Sequence, residues 1–461
     1  MLVPALIDVI FNNRDWVVFL ATSLITVFIG VTMWATCRGA KTRMGLREAF
    51  VLTVSIWVVA AAFAALPFAW SDLNLSYTDA YFEAMSGLTT TGATVVVGLD
   101  GAPPGILFWR AFLQWLGGLG IVVMAVAVLP MLQVGGMQLF KAEAFDTPDK
   151  ILPRAAQISG SLTALFVFLT LACAVSYGVA GMDESEALIH AMTTVATGGF
   201  SSRDNSIGEF QSPAIEWIGI VFMIAGSLPF LLYIRAIQGK PAAMIRDEQV
   251  RAFFILLLIM SLIALVSENQ LEPHLGADGF REALFNMTSI MTGTGFASTD
   301  YSLWGPMAQG VFLLAMFIGG CAGSTSCGIK VFRIVVMFEN IRQHARRIVY
   351  PSGVFVNRYN GRPLSDNVSA AVLSFIFLFL ASFCVAAVGL SLLGLDTITA
   401  VSGAATAISN VGPGLGPVIG PSGNFSTLPD AAKWLLTIVM LIGRLEVFTV
   451  LVLFIPAFWI R

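Results

Sequence analysis

Apolar and polar positions along this chain fall into long blocks, not into the two-residue alternation of half-buried strands. Runs of mainly apolar residues recur at 16–37, 48–70, 106–130, 155–180, 213–237, 251–267, 307–340, 367–393 and 431–459. Each is near or beyond the roughly 20 residues that cross a bilayer core as a helix rising about 1.5 Å per residue. The pattern predicts a helical span at each, the seventh of them interrupted. After the first span, the alternate connections hold a shorter and only moderately apolar helical pattern that ends in Thr, Ser and Gly. Such segments cannot cross. They read as re-entrant loops, which lipid tolerates only around a protein-lined or water-filled cavity.

Aligning the loops on one glycine gives TTTGAT ending at Thr94, VATGGF ending at Phe200, TGTGF ending at Phe296 and SNVGP ending at Pro413. Gly92, Gly198, Gly295 and Gly412 then share a column, about 100 residues apart, and the chain repeats span, pore loop and span four times. The predicted repeats are 48–132, 155–239, 246–345 and 364–461, preceded at 1–47 by an extra helix and a polar loop. The fold class that follows is an all-α polytopic membrane protein with four helix–pore loop–helix repeats around one pseudo-fourfold pore.

Glycine admits positive φ, so successive carbonyls can turn toward an axis, and carbonyl oxygens can replace the hydration shell of a cation. β-Branched neighbours stiffen the backbone beside the glycines, and the short helix before each loop aims the negative end of its dipole at the cavity. The predicted ion-contacting positions are Thr90, Thr91, Gly92, Ala196, Thr197, Gly198, Gly293, Thr294, Gly295, Asn410, Val411 and Gly412. One such loop alone reads better as a helix C-cap or a small-residue packing site; four at matching places favour a pore. The residues that follow, Ala93, Gly199, Phe296 and Pro413, differ. The ring is therefore expected to be asymmetric and less discriminating than one built from four identical chains.

Composition agrees with a bilayer as solvent: 57% of the 461 residues are hydrophobic and 11% charged, which excludes an ordinary soluble domain. Net charge is only −3, but its placement is informative. Basic residues gather in alternate connections: Arg38, Lys41, Arg43 and Arg47; Lys141, Lys150 and Arg154; Arg235, Lys240, Arg246 and Arg251; Lys330, Arg333, Arg342, Arg346, Arg347, Arg358 and Arg362; and terminal Arg461. The positive-inside rule puts these in the cytoplasm. The opposite connections carry Asp72, Asp79, Glu83 and Asp100, then Asp183, Glu184, Glu186, Asp204 and Glu209, then Glu268, Glu272, Asp278, Glu282 and Asp300. They read equally as a cation-concentrating mouth and as ordinary solvated loop charge. The five cysteines, Cys37, Cys173, Cys321, Cys327 and Cys384, form no CxxC and read as free thiols. The opening MLVPALIDVIF is too short to span and lacks a signal peptide's basic start and cleavage site, so it reads as the tail of a longer helix.

Two features stand apart from the loops. GGCAGSTSCG, from Gly319 to Gly328, interrupts the seventh span with residues no stable helix selects, each glycine costing about 1 kcal/mol. A GxxxG contact through Gly319 and Gly323 needs far fewer small residues, so the segment reads as a gate, with Gly319, Gly320, Gly323, Ser324 and Gly328 in it. It is not a phosphate loop, since its lysine is misplaced and no Ser or Thr follows. Arg444 stands in mid-span, where an arginine costs roughly 2.5–3.5 kcal/mol and needs a wet cavity or a partner. Glu446, two positions on, faces elsewhere on a continuous helix.

The stretches GLTTTGATVVVGLD, FLQWLGGLGIVV, GGCAGSTSCGIKVFR, SNVGPGLGPV and GRLEVFT together resemble the Trk/Ktr/HKT superfamily of potassium transporters nearly end to end, most closely its TrkH-type subunits. The resemblance implies a single four-loop pore per subunit in which glycine at all four filter positions goes with potassium conduction and serine at the first with sodium preference. It implies that the interrupted span blocks the pore below the filter, and that Arg444 opposes cations there. It also implies a bacterial inner-membrane location, a homodimer, and a cytosolic ring of nucleotide-binding regulatory subunits (TrkA-type). TrkH-type subunits carry one further helix before the span at 16–37. No cofactor is expected on the chain, potassium being the transported ion, and no nucleic-acid partner. An enzyme is the weaker alternative, because His190, His274 and His344 do not cluster. The stronger one is a secondary transporter coupling sodium or proton movement to solute uptake, although such proteins usually repeat twofold.

Overall fold

A computed structural model describes residues 1–39, 45–127, 151–271 and 276–460. Lys41, Arg43, Lys141, Lys150, Glu272, His274, Arg461 and the expected end of the first repeat at 132 lie outside the described residues.

Helix α1 (Leu2–Ile10) is followed by the first long span, α2 (Trp16–Cys37). The first repeat is α3 (Leu46–Trp70), pore helix α4 (Tyr77–Leu88) and α5 (Pro104–Ala127). The second is α6 (Ile151–Val179), pore helix α7 (Glu184–Val195) and the pair α8 (Pro213–Ser227) and α9 (Phe230–Ile237). The third is α10 (Glu248–Leu271), pore helix α11 (Ala277–Thr292), α12 (Gly305–Phe317) and, across the interruption, α13 (Val331–Val349). The fourth is α14 (Asp366–Leu392), pore helix α15 (Thr397–Ser409), α16 (Asp430–Arg444) and α17 (Phe448–Leu451). One hairpin, β1 (Arg358–Tyr359) and β2 (Arg362–Pro363), turns through Asn360 and Gly361 at positive φ, the geometry two-residue hairpins prefer.

Local chemistry explains the ends of these helices. Ser76 accepts from the Asp79 amide at 3.1 Å to start α4, and Asp396 accepts from the Thr399 amide at 3.1 Å to start α15. Pro213 opens α8, where its missing N–H costs nothing.

Among the described residues, six helices are long and apolar enough to cross a membrane, and two bent pairs also pass that test. The bends correct the expectation of unbroken spans at 213–237 and 431–459. The first turns by 92° between α8 and α9, where Pro229 cannot donate a helix bond and holds Leu228 extended. The second turns by 109° directly after Arg444, at Glu446 and Val447, both with positive φ. The interrupted span is a 13-residue apolar helix, a loop, and α13, whose Arg342, Arg346 and Arg347 are exposed.

The four largest apolar clusters among the described residues are each drawn mainly from one repeat: around Phe68, Met85 and Leu113; around Phe166, Tyr177 and Met223; around Phe253, Met287 and Phe312; and around Phe379, Leu436 and Met440. Two smaller ones join repeats, at Phe50, Phe332 and Val372 and at Ala111, Ile189 and Met192. Large apolar side chains also cover the outside of the spans, Phe28 at 73% and Phe377 at 71% exposure among them. That surface is stable only against lipid. The chain is a multi-pass membrane protein.

Candidate ion pore

The four pore helices end at one place. Beyond each C-terminus an amide reaches back to a carbonyl five residues earlier: Thr91 to Ser86 at 2.9 Å, Gly198 to Thr193 at 2.8 Å, Thr294 to Ser289 at 2.8 Å and Val411 to Thr406 at 3.0 Å. These bonds make Thr91, Gly198, Thr294 and Val411 equivalent. The next residue in each loop, Gly92, Gly199, Gly295 and Gly412, has φ of 84°, 77°, 86° and 109°. Two residues before those glycines, Thr90, Thr197, Gly293 and Asn410 also have positive φ.

The second loop is therefore shifted by one residue from the sequence alignment. Gly199, not Gly198, belongs with Gly92, Gly295 and Gly412, and the residue that follows it is Phe200, not Gly199. The tandem glycines of ATGGF offer two alignments, and letters alone do not choose between them.

The ring closes by contact. A Cβ added to Gly92 would overlap the carbonyl oxygen of Gly198; on Gly199, that of Thr294; on Gly295, that of Val411; and on Gly412, that of Thr91. Each glycine thus admits the preceding carbonyl of the next loop, in the order first, second, third, fourth and back to first. All four glycines line one cavity of about 60 Å³ at the mouth, together with Arg110, Arg203, Asp204 and Pro413. Thr90, Thr91, Ala196, Thr197, Gly198, Gly293, Thr294, Asn410 and Val411 lie in the same four loops, all but Gly198 and Gly293 with side chains, and all are buried.

Each loop is braced from its own pore helix. Val95 N donates to Glu83 at 2.9 Å, Ser298 N to Asn286 at 3.1 Å and Leu415 N to Ser402 at 2.9 Å, while a His190 ring nitrogen bonds the Ser201 hydroxyl at 2.9 Å. Glu83 and His190 are fully buried, so Glu83 is not solvated loop charge and His190 serves as a brace inside the protein. Arg110 joins two loops, bonding Glu83 at 2.7 Å and the Ser201 carbonyl at 2.7 Å. Much of the outer acidity is also paired: Asp100 and Glu186 with Arg203, Asp79 with Lys433, and Glu216, Asp278 and Glu282 with Arg281. Paired in this way, these carboxylates fit neither a bare cation-concentrating mouth nor merely solvated loop charge.

The interrupted span lies beneath this ring. Gly319, Gly320, Gly323, Ser324 and Gly328 are in a buried loop whose ends pair, Gly319 N to the Ile329 carbonyl at 3.0 Å and Ile329 N to Phe317 at 2.9 Å. The bend in the second repeat supplies its seat: Cys321 N reaches Ser227 at 2.9 Å, and Phe230 N reaches Gly323 at 3.0 Å. Thr325 donates to the Gly226 carbonyl at 2.9 Å and accepts from Thr197 of the second loop at 3.1 Å.

Arg444, 1% exposed, closes the assembly from the other side. It ends α16 and does not sit within a continuous helix. Its guanidinium donates to the Thr325 carbonyl at 3.2 Å, to Cys327 Sγ and to the Gly117 carbonyl at 3.0 Å. Glu446 pairs instead with Lys330 at 3.5 Å and with Arg333. Lys330 and Arg333 are buried, which corrects their assignment to the basic surface; Arg342, Arg346, Arg347, Arg358 and Arg362 are exposed. Thr325, Cys327 and Gln114 went unselected in the sequence, although each stands inside a stretch already singled out.

Among the described residues no group of three or more His, Cys, Asp or Glu could hold a metal ion, and all five cysteines are unpaired.

The sequence pattern of the TrkH family, described as a cation transport protein, matches residues 16–459. The chain is 44% identical over its whole length to the Trk system potassium uptake protein TrkI of Halomonas elongata, covering 93% of that protein. It is 39% identical to TrkH of Escherichia coli, again over the whole chain and 95% of the relative. The crystal structure of the potassium transporter TrkH from Vibrio parahaemolyticus superposes with a TM-score of 0.91 at 38% identity, covering 99% of this chain and 95% of that one. A full-length match in sequence and in fold admits one conclusion: the chain belongs to the TrkH family of cation transport proteins.

Proposed function

We propose that this protein takes up potassium across the bacterial inner membrane through the four-loop ring, with passage restricted by the loop at Gly319–Gly328 and by Arg444. The observation that carries the reading is the closed contact cycle of four glycines and four carbonyls at the C-termini of four pore helices. Backbone oxygens in that arrangement match a weakly hydrated monovalent cation, and the helix dipoles favour positive charge at the same point. The names of the relatives, potassium uptake proteins and a potassium transporter, supply the ion.

The gate follows from position. The loop occupies the space under the ring, and a guanidinium bonded to its carbonyl puts positive charge on the path, repelling cations until loop and arginine move apart. The reading extends to a homodimer and a cytosolic nucleotide-binding ring, which would meet the exposed arginines of α13 and the hairpin on the cytoplasmic side.

The test is rubidium or potassium flux into proteoliposomes. Wild-type protein should carry potassium in preference to sodium, and Arg444→Ala should raise flux. Absence of potassium flux from well-folded protein would overturn the transport reading; wild-type flux left unchanged by Arg444→Ala would overturn the gate. Flux that needs a proton or sodium gradient would favour a coupled carrier.

A further inference from the structure

Of the four residues whose carbonyls close the ring, three have side chains, Thr91, Thr294 and Val411; the fourth is Gly198. The space beside Gly198 is filled from the neighbouring helix. A Cβ built on Gly198 would meet the Gln114 amide group. Gln114 is fully buried on α5, its Nε2 donates to the Gly198 carbonyl at 2.5 Å, and its Oε1 accepts from the Phe200 amide at 3.0 Å. It thus grips the second loop on both sides of Gly199.

The equivalent positions elsewhere are different in kind. Gly117 packs under the Leu88 carbonyl, Gly226 under the Val195 carbonyl and Gly443 under the Ile408 carbonyl, so these three glycines mark the same place in α5, α8 and α16. Three residues before each stand Gln114, Met223 and Met440. Where the next loop has Thr294 or Thr91 in the ring, the helix carries methionine; where it has Gly198, the helix carries glutamine.

We propose that Gln114 is a positioning residue that serves as the missing side chain of Gly198 and sets the potassium-over-sodium preference of the ring. The proposal rests on the pore reading above. Its hydrogen bond occupies one lone pair of a ring carbonyl and fixes the direction of the other. A sodium ion needs closer oxygens than potassium does, and a ring with one oxygen tethered from behind cannot contract around it.

The experiment compares wild type, Gln114→Met and the double variant Gln114→Met/Gly198→Thr in proteoliposomes, each with its thermal midpoint in detergent. Gln114→Met copies the residue at positions 223 and 440, and should lower the potassium-to-sodium flux ratio by about fivefold to tenfold, as expected from losing one buried hydrogen bond. The double variant restores a side chain at the ring and should recover at least half of the lost ratio. A packing role alone would shift thermal midpoint and total flux together without moving the ratio. An unchanged ratio in Gln114→Met overturns the proposal, as does a double variant that is folded yet no more selective than the single one. If Gln114→Met does not fold, the double variant decides, since a selective, folded double supports the substitution logic and an unselective one sinks it. Lack of potassium flux in the wild type would count against the pore reading, not against Gln114 alone.

Discussion

A glycine at Gly199 and one at Gly198 look interchangeable as letters, yet the structure gives them opposite surroundings. Gly199 has φ of 77° and touches the Thr294 carbonyl, while Gly198 touches a glutamine side chain. A side chain at Gly199 would be strained in backbone and would push on a ring carbonyl; one at Gly198 meets no backbone strain and would displace only the Gln114 amide, a side chain and not a ring carbonyl. Gly199→Ser and Gly92→Ser are therefore expected to lower the potassium-to-sodium flux ratio by at least tenfold, whereas Gly198→Ser should change it less. Equal losses at 198 and 199 would contradict the register. The same scale shows what sequence reasoning can miss. Gln114 lies in FLQWLGG, a stretch recognised for its resemblance, but its partners are 84 and 86 residues away in the chain and no spacing rule connects them.

At the scale of elements, the informative features are the breaks. The interrupted third-repeat span was legible because ten small or polar residues in a row oppose a helix. The bends at Pro229 and at Glu446 were not, since apolar runs continue on both sides of each and hydropathy does not report direction. The second bend changes the chemistry: by ending α16 at Arg444, it sends Arg444 to the Gly319–Gly328 loop and Glu446 to Lys330 and Arg333. Two buried cations then share one carboxylate at the root of the loop. Removing the charge of such a group takes a shared partner from both cations, at a cost of about 3–5 kcal/mol. Glu446→Gln should thus lower the detergent thermal midpoint clearly, and a midpoint equal to wild type would show that the cluster is not structural.

At the scale of the molecule, four quarters with largely their own apolar cores meet around their loops and through apolar seams, one holding Phe50 with Phe332 and Val372 and another Ala111 with Ile189 and Met192. Orientation in the membrane is argued from charge alone. A single cysteine placed at Lys240 in a cysteine-free background should react with a membrane-impermeant maleimide only from the cytoplasmic side, and one at Asn205 only from the outside. The reverse labelling would invert the assignment and with it the side on which the Gly319–Gly328 loop lies relative to the ring. A ring of loops braced from four sides also explains why Arg110 and Glu83 are buried at a cost: they tie the first loop to the second, as Asn410 Nδ2 ties the fourth to Thr91 at 2.9 Å.

Hydropathy blocks and the fourfold return of a glycine turn after a short helix determined the membrane architecture, the repeat and the approximate place of the four loops, because those depend on composition and local spacing. Tertiary structure alone decided the register of the second loop, the direction of two bent spans, the partners of Arg444 and Glu446, and the grip of Gln114. Each of these is a contact between residues distant in the chain, fixed by how four similar quarters close around one axis.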